Sequence, residues 1–202
     1  MIENYIYVES FSAPMVDRRE ALRYAGVRDS DRMTEELLEK CIAETEGKLA
    51  LRVCYRVFDL RIDGETIDLG FALVKSSALE KRLNGCEKIL VFCATVGHEI
   101  DRLIAKYNLL SPSTAVMMQA LGSERIEALC DAFSAKIGEE TGKMGYTCTA
   151  RFSPGYGDLT LELQKDIFSA LDCTKKIGVS LNDSLFMTPT KSVTAIIGLK
   201  KC

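Results

Sequence analysis

The sequence predicts an α+β fold: a largely antiparallel, twisted sheet flanked by helices, one of them long. Three observations carry this. The apolar pattern switches repeatedly between a period of two and a period near 3.6. The strand-like stretches sit in hairpins beside helices, without regular βαβ alternation. One helical stretch runs over 112–141. The 202 residues are expected to form one domain, 1–202, a length that supports one good-sized core, with no linker, repeat or low-complexity segment in it.

Tyr5-Ile6-Tyr7-Val8 reads as a short strand, and Asp17 caps a helix over 18–25 that Gly26 stops. A second helix over 31–48 places Met33, Leu37, Leu38, Cys41 and Ile42 on one apolar face. Over 51–62 the alternation changes phase at Val57-Phe58, which predicts a bulge or bend. Asp63-Gly64-Glu65-Thr66 is turn chemistry leading into a partner strand over 67–69. Ser77 is the predicted cap of a short helix ended by Gly85; a buried strand over 89–94 and a helix over 97–107 follow. In the long helix Ile126, Leu129, Phe133 and Ile137 form the apolar stripe, and Gly122 is the place to expect a bend or break. Strands at 146–152, 177–181 and 193–199 and a helix at 161–171 complete the prediction.

Composition narrows the class. Apolar residues make up 47% and charged residues 27%, with a net charge of −3 and no run of like charge, so nothing favours nucleic acid or an anionic membrane. The strongest apolar run, Ile89-Leu90-Val91-Phe92-Cys93-Ala94, is far below the roughly 20 residues of a membrane span. Met1-Ile2-Glu3-Asn4 has no secretory character, and a cytoplasmic location is expected. None of the eight cysteines has zinc-ribbon or thioredoxin-like spacing; they read as small buried hydrophobes in a reducing compartment, except Cys202 after Lys200-Lys201.

The most informative stretch is Arg151-Phe152-Ser153-Pro154-Gly155-Tyr156. A strand ends in Pro-Gly, where Pro154 sets its own φ and Gly155 supplies a conformation that other residues resist. Such a corner can turn backbone N–H and C=O groups outward, toward a purine edge, while Arg151 forks onto a carboxylate. The stretch resembles the Arg-x-x-Pro-Gly-Tyr signature of the activation domain of cobalamin-dependent methionine synthase. The resemblance continues through the helix at Leu161, through Gly178-Val179-Ser180-Leu181-Asn182-Asp183-Ser184, and through Met187-Thr188-Pro189-Thr190-Lys191-Ser192-Val193. Upstream, Asp17 to Gly26 and the segment from Ala94 to Asp101 are similar to small free-standing members of that family.

The resemblance implies an S-adenosylmethionine-binding domain that supports reductive methylation of cob(II)alamin held by a partner. That partner is the cobalamin-binding domain of a methionine synthase or another corrinoid protein, and a flavodoxin-type donor supplies the electron. Carried over by position, Arg151 binds the methionyl carboxylate, backbone groups around Ser153 and Gly155 bind adenine, and Pro154 and Tyr156 shape the turn. Asp131 aligns with an acidic residue of the family's long helix, and lies near Glu124 and Glu127 in the helix reading. The family's tyrosine-bearing final strand has no counterpart after Lys200-Lys201-Cys202.

Other readings come from other classes. Thr95 and His98, the latter the single histidine, stand at a strand-to-helix junction that can hold an anion, and are secondary candidates. A hydrolase pairing His98 with Cys93, Cys148 or Ser153 lacks a Gly-x-Ser-x-Gly elbow. Gly-x-Gly-x-x-Gly and phosphate-loop patterns are absent, no metal site is expected, and no residue is assigned a catalytic role. The main alternative within the resemblance is a module that docks on a corrinoid protein and no longer uses S-adenosylmethionine.

Overall fold

The computed structural model describes residues 5–202; residues 1–4, read above as lacking secretory character, lie outside the described residues. β1 (Tyr7–Ser10) begins two residues later than its local pattern suggests, because pairing with β2 (Arg52–Asp59) sets its bounds. Tyr7 faces Tyr55 across that pair and stacks on it at 5.0 Å. α1 (Arg18–Tyr24) starts where expected: the Asp17 carboxylate accepts the amides of Arg19 and Glu20. α2 (Arg32–Thr45), capped by Asp31, ends before the expected Lys48: Glu46 leaves the helical conformation and Gly47 follows at φ 68°. On its predicted apolar face Leu38 and Cys41 are buried, while Met33 is exposed.

β3 (Arg61–Asp63), β4 (Thr66–Asp68) and β5 (Leu73–Val74) form a small antiparallel sheet around the predicted turn. α3 (Ser77–Leu83) is capped by Ser76, not Ser77: the Ser76 hydroxyl accepts the Leu79 amide at 3.0 Å. Then come β6 (Lys88–Thr95), α4 (Glu99–Leu110), α5 (Pro112–Gly142), β7 (Tyr146–Cys148) and α6 (Leu163–Leu171). α7 (Cys173–Ile177), the paired strands β8 (Ser180–Leu181) and β9 (Met187–Thr188), and β10 (Ser192–Lys201) close the chain. Ile177 therefore ends a helix where a strand was expected. Asp172 at φ 48° joins α6 to α7, and Gly178 at φ 74° stops α7 before the chain extends.

The main sheet has the order β1-β2-β6-β10-β7, antiparallel throughout. Both of its faces are covered. Val53, Tyr55, Val57, Leu90, Phe92, Ala195 and Ile197 pack toward α1, α2, α4 and α5. Cys54, Phe58, Ile89, Val91, Cys93 and Ile196 pack on the other side, with α3, α6, α7 and β4. This accounts for the misread phase shift at Val57-Phe58. β2 pairs with β6 residue by residue through Asp59 without a bulge, and successive side chains are apolar because each face has its own core.

Of the cysteines, Cys54, Cys93 and Cys173 share the second core, and Cys54 stands opposite Cys93 across β2 and β6. Contacts with Cys173 and Cys54, together with burial, push the Cys93 thiol up. Cys41 and Cys130 are buried elsewhere, Cys86 and Cys148 are half-buried, Cys202 is exposed, and none is in a disulfide.

α5, 31 residues, is about 46 Å long and unbroken. Gly122 does not bend it. A Cβ there would lie 2.7 Å from Ile100 of α4 and 3.0 Å from the Lys191 stem, so this glycine permits close approach of α4 and of the chain before β10. Burial lowers the pKa of the Lys191 ammonium, which donates to the Ser123 hydroxyl at 2.9 Å. Two segments that carry the resemblance meet here. Asp101 accepts both the amide and the hydroxyl of Thr190, at 2.8 and 2.5 Å.

Candidate functional site

β7 is the edge strand, and the chain continues alongside β10 only as far as Phe152, which exchanges both backbone hydrogen bonds with Ile196 at 2.8 Å. It then turns away. Pro154 is buried, Gly155 sits at φ 90°, and the exposed Tyr156 leads to Gly157 at φ 58°. A Cβ on Gly157 would stand 2.8 Å from that of Ala78, so the corner lies flat against the start of α3. Asp158 fastens it there, accepting the Ser76 hydroxyl and the Ser77 and Ala78 amides at 2.5, 2.7 and 3.1 Å. The Ser76 hydroxyl and those amides hold the Asp158 carboxyl at about 2, below its usual range.

A carboxyl depressed in the folded state stabilises above its unfolded pKa of about 3.9 and loses that contribution as pH falls through the folded value. Asp158→Asn is therefore expected to lower the melting temperature at pH 7 and to converge on wild type as pH falls from about 4 toward about 2. Parallel melting curves over that range would remove the clamp.

Where the corner leaves β10, a groove of roughly 460 Å³ opens at the sheet edge, within the size range of small-molecule sites. Arg151, Phe152, Ser153, Pro154 and Tyr156 form one wall; Arg82 of α3, Glu127 of α5 and Gln164 of α6 contribute others; Met187, Ser192, Val193 and Thr194 complete it. Of the two glycine-corner amides, Gly155 N–H donates to Leu159 at 2.9 Å and Tyr156 N–H to Ser153 at 3.3 Å, both within the turn. The Ser153 amide, in contrast, has no hydrogen-bond partner among the described residues.

Arg151, half-buried, donates to Asp131 at 2.6 Å and to Glu127. Residues 127 and 131, one turn apart on α5, reach the same guanidinium, but only Glu127 lines the groove; the Asp131 side chain is 74% exposed. Glu124, grouped with them on the sequence, faces elsewhere. It is buried against Arg125 and accepts the Asp17 amide.

Thr95 is buried on β6 and takes part in the wall only through Ser192, whose hydroxyl donates to its Oγ1 at 2.9 Å. His98 lies exposed at the start of α4, makes no side-chain cap, and is outside the groove. With Cys93 buried in the core and Ser153 in the groove, the hydrolase grouping is not assembled. Among the described residues no group of three or more His, Cys, Asp or Glu side chains is arranged to hold a metal ion, and no helix is long and apolar enough to cross a membrane.

The groove residues that sequence reasoning did not assign to the site are Arg82, Glu127, Phe152, Gln164, Met187, Ser192, Val193 and Thr194. One signal was available: Gln164 interrupts the apolar face formed by Leu163, Ile167 and Leu171.

Fold and groove together define a helix-covered antiparallel-sheet protein with an open, ion-pair-lined cleft where an edge strand breaks away. The family model for the activation domain of vitamin B12-dependent methionine synthase matches residues 77–201, and the chain belongs to this family. The crystal structure of the MetH reactivation domain bound to AdoHcy is similar, with a TM-score of 0.72 over 97% of this chain and 78% of that one, at 16% sequence identity. A likeness at that identity speaks for the fold. No curated protein matches the chain by sequence.

Proposed function

We propose that the whole chain acts as one S-adenosylmethionine-binding reactivation subunit for a cobalamin-dependent methionine synthase, supporting reductive methylation of cob(II)alamin held by that partner. The observation that carries this reading is the Arg151–Glu127 pair at the wall of the sheet-edge groove. The methionyl end of the ligand is a zwitterion. A guanidinium suits its carboxylate and a neighbouring carboxylate suits its ammonium, so one ion pair offers both complements. The Ser153 amide beside Pro154 supplies a donor for the purine edge, and Tyr156 and Phe152 offer apolar surface. The similar solved structure was determined with AdoHcy bound, which agrees with a ligand of this shape.

The sulfonium supplies a methyl group, and the protein's share of the work is to bind and orient it. The chain is accessory: the corrinoid belongs to the partner and the electron to a flavodoxin-type donor. The docking-only alternative draws on one observation, that Arg151 is already neutralised by Glu127 and Asp131. Turnover decides between them. Added with an electron donor to a cob(II)alamin methionine synthase without its own activation domain, the chain should restore methionine formation in a manner dependent on S-adenosylmethionine. Recovery at the same rate without the chain removes the role.

A further inference from the structure

Two polar side chains in the groove each carry a buried oxygen with no hydrogen-bond partner among the described residues. Gln164 is 6% exposed and Thr194 2%, both line the groove, and Gln164 Oε1 and Thr194 Oγ1 are buried without a hydrogen bond among the described residues. Each such atom destabilises a fold that could hold a Met or Val in the same space. They arrive from different elements, α6 and β10, which makes their convergence a property of the groove and not of one helix or strand.

The backbone adds to them. β10 bonds to the edge chain through Ile196 and Gly198, so alternation turns the N–H and C=O of Thr194 to the same side, where the corner has left no strand. The groove floor thus offers an amide, a hydroxyl, a backbone donor and a backbone acceptor, all uncharged. A buried neutral set is a poor partner for a carboxylate or ammonium, whose desolvation calls for opposite charge. That role falls to Arg151 and Glu127.

We infer that Gln164 and Thr194 are specificity-determining residues that bind the neutral, hydrogen-bond-donating part of the nucleoside. This rests on the reading of the groove as an S-adenosylmethionine site. The donor is either the ribose diol or the purine amino group.

The test uses the full chain and the near-isosteric variants Gln164→Met and Thr194→Val, with thermal unfolding in the absence of ligand and calorimetry with S-adenosylhomocysteine. Both variants should melt at or above the wild-type temperature and bind about tenfold more weakly. A 2′,3′-dideoxy analogue and an inosyl analogue separate the two donors. The one lacking the recognised group loses about tenfold on wild type and nothing further on Gln164→Met. Variants that melt lower or fail to fold, or that bind as wild type does, overturn the inference and leave the groove reading standing. No binding to wild type removes the groove reading and the inference together.

Discussion

Arg151→Ala is expected to weaken S-adenosylmethionine binding by about 30- to 1,000-fold, or about 2–4 kcal/mol, as for truncation of one partner in a desolvated charge pair. Two effects add. The ligand carboxylate loses its bidentate donor, and it then faces Glu127 and Asp131 with their counter-charge gone. Arg151→Lys keeps the charge and loses the fork, so about tenfold is expected. The fold should hardly notice, because the Glu127 and Asp131 side chains are 42% and 74% exposed and such pairs contribute about 0–1 kcal/mol. Titration calorimetry with a melting curve on each variant checks both halves. Undiminished affinity in the alanine variant would sink the site assignment.

The largest effect on stability is expected at Arg125→Met, about 3–5 kcal/mol, because it leaves a carboxylate buried without its cation. Glu124 and Arg125 are adjacent on α5 and both 3% exposed at the side chain. Arg125 donates twice to Glu124 and also to the carbonyls of Pro14 and Met15, at 2.5 and 3.1 Å, while Glu124 accepts the Asp17 amide at 3.0 Å. The pair therefore moors the segment that leads into α1. With Arg125 gone, a drop in melting temperature on the order of 10 °C follows for a chain of this length. Glu124→Gln combined with Arg125→Met removes the stranded charge and should recover a large part of the loss. Denaturant unfolding of the three variants measures it; a single-variant cost under about 1 kcal/mol would mean that the pair is not an anchor.

Much of this was legible in the chain. Asp17 caps the helix it was expected to cap, because an N-cap is a bond to an amide two or three residues away. The Pro154-Gly155 corner turns the chain as read, although the strand expected over 146–152 is regular only through Cys148; ring closure at proline and a positive φ at glycine are properties of those residues themselves. The linked motifs identified the family, and a match over residues 77–201 bears that out.

Two of the misreadings share a cause. Val57-Phe58 looked like a bulge and Gly122 like a helix break, and each is instead a response to a neighbour far along the chain: a second core in one case, Ile100 and Lys191 in the other. Glu124, Glu127 and Asp131 carry the same charge on one helix, and their separation into a buried anchor, a groove wall and a solvated partner comes from what packs opposite them.

Local geometry and periodicity thus determined most of the elements, the Asp17 cap and the corner, and the linked motifs carried the resemblance to the family. Only the tertiary structure decided which carboxylate meets Arg151 and that Gln164 and Thr194 face one groove. A helical or strand period tells which residues share a face; what that face meets depends on contacts across the fold, which no local pattern records.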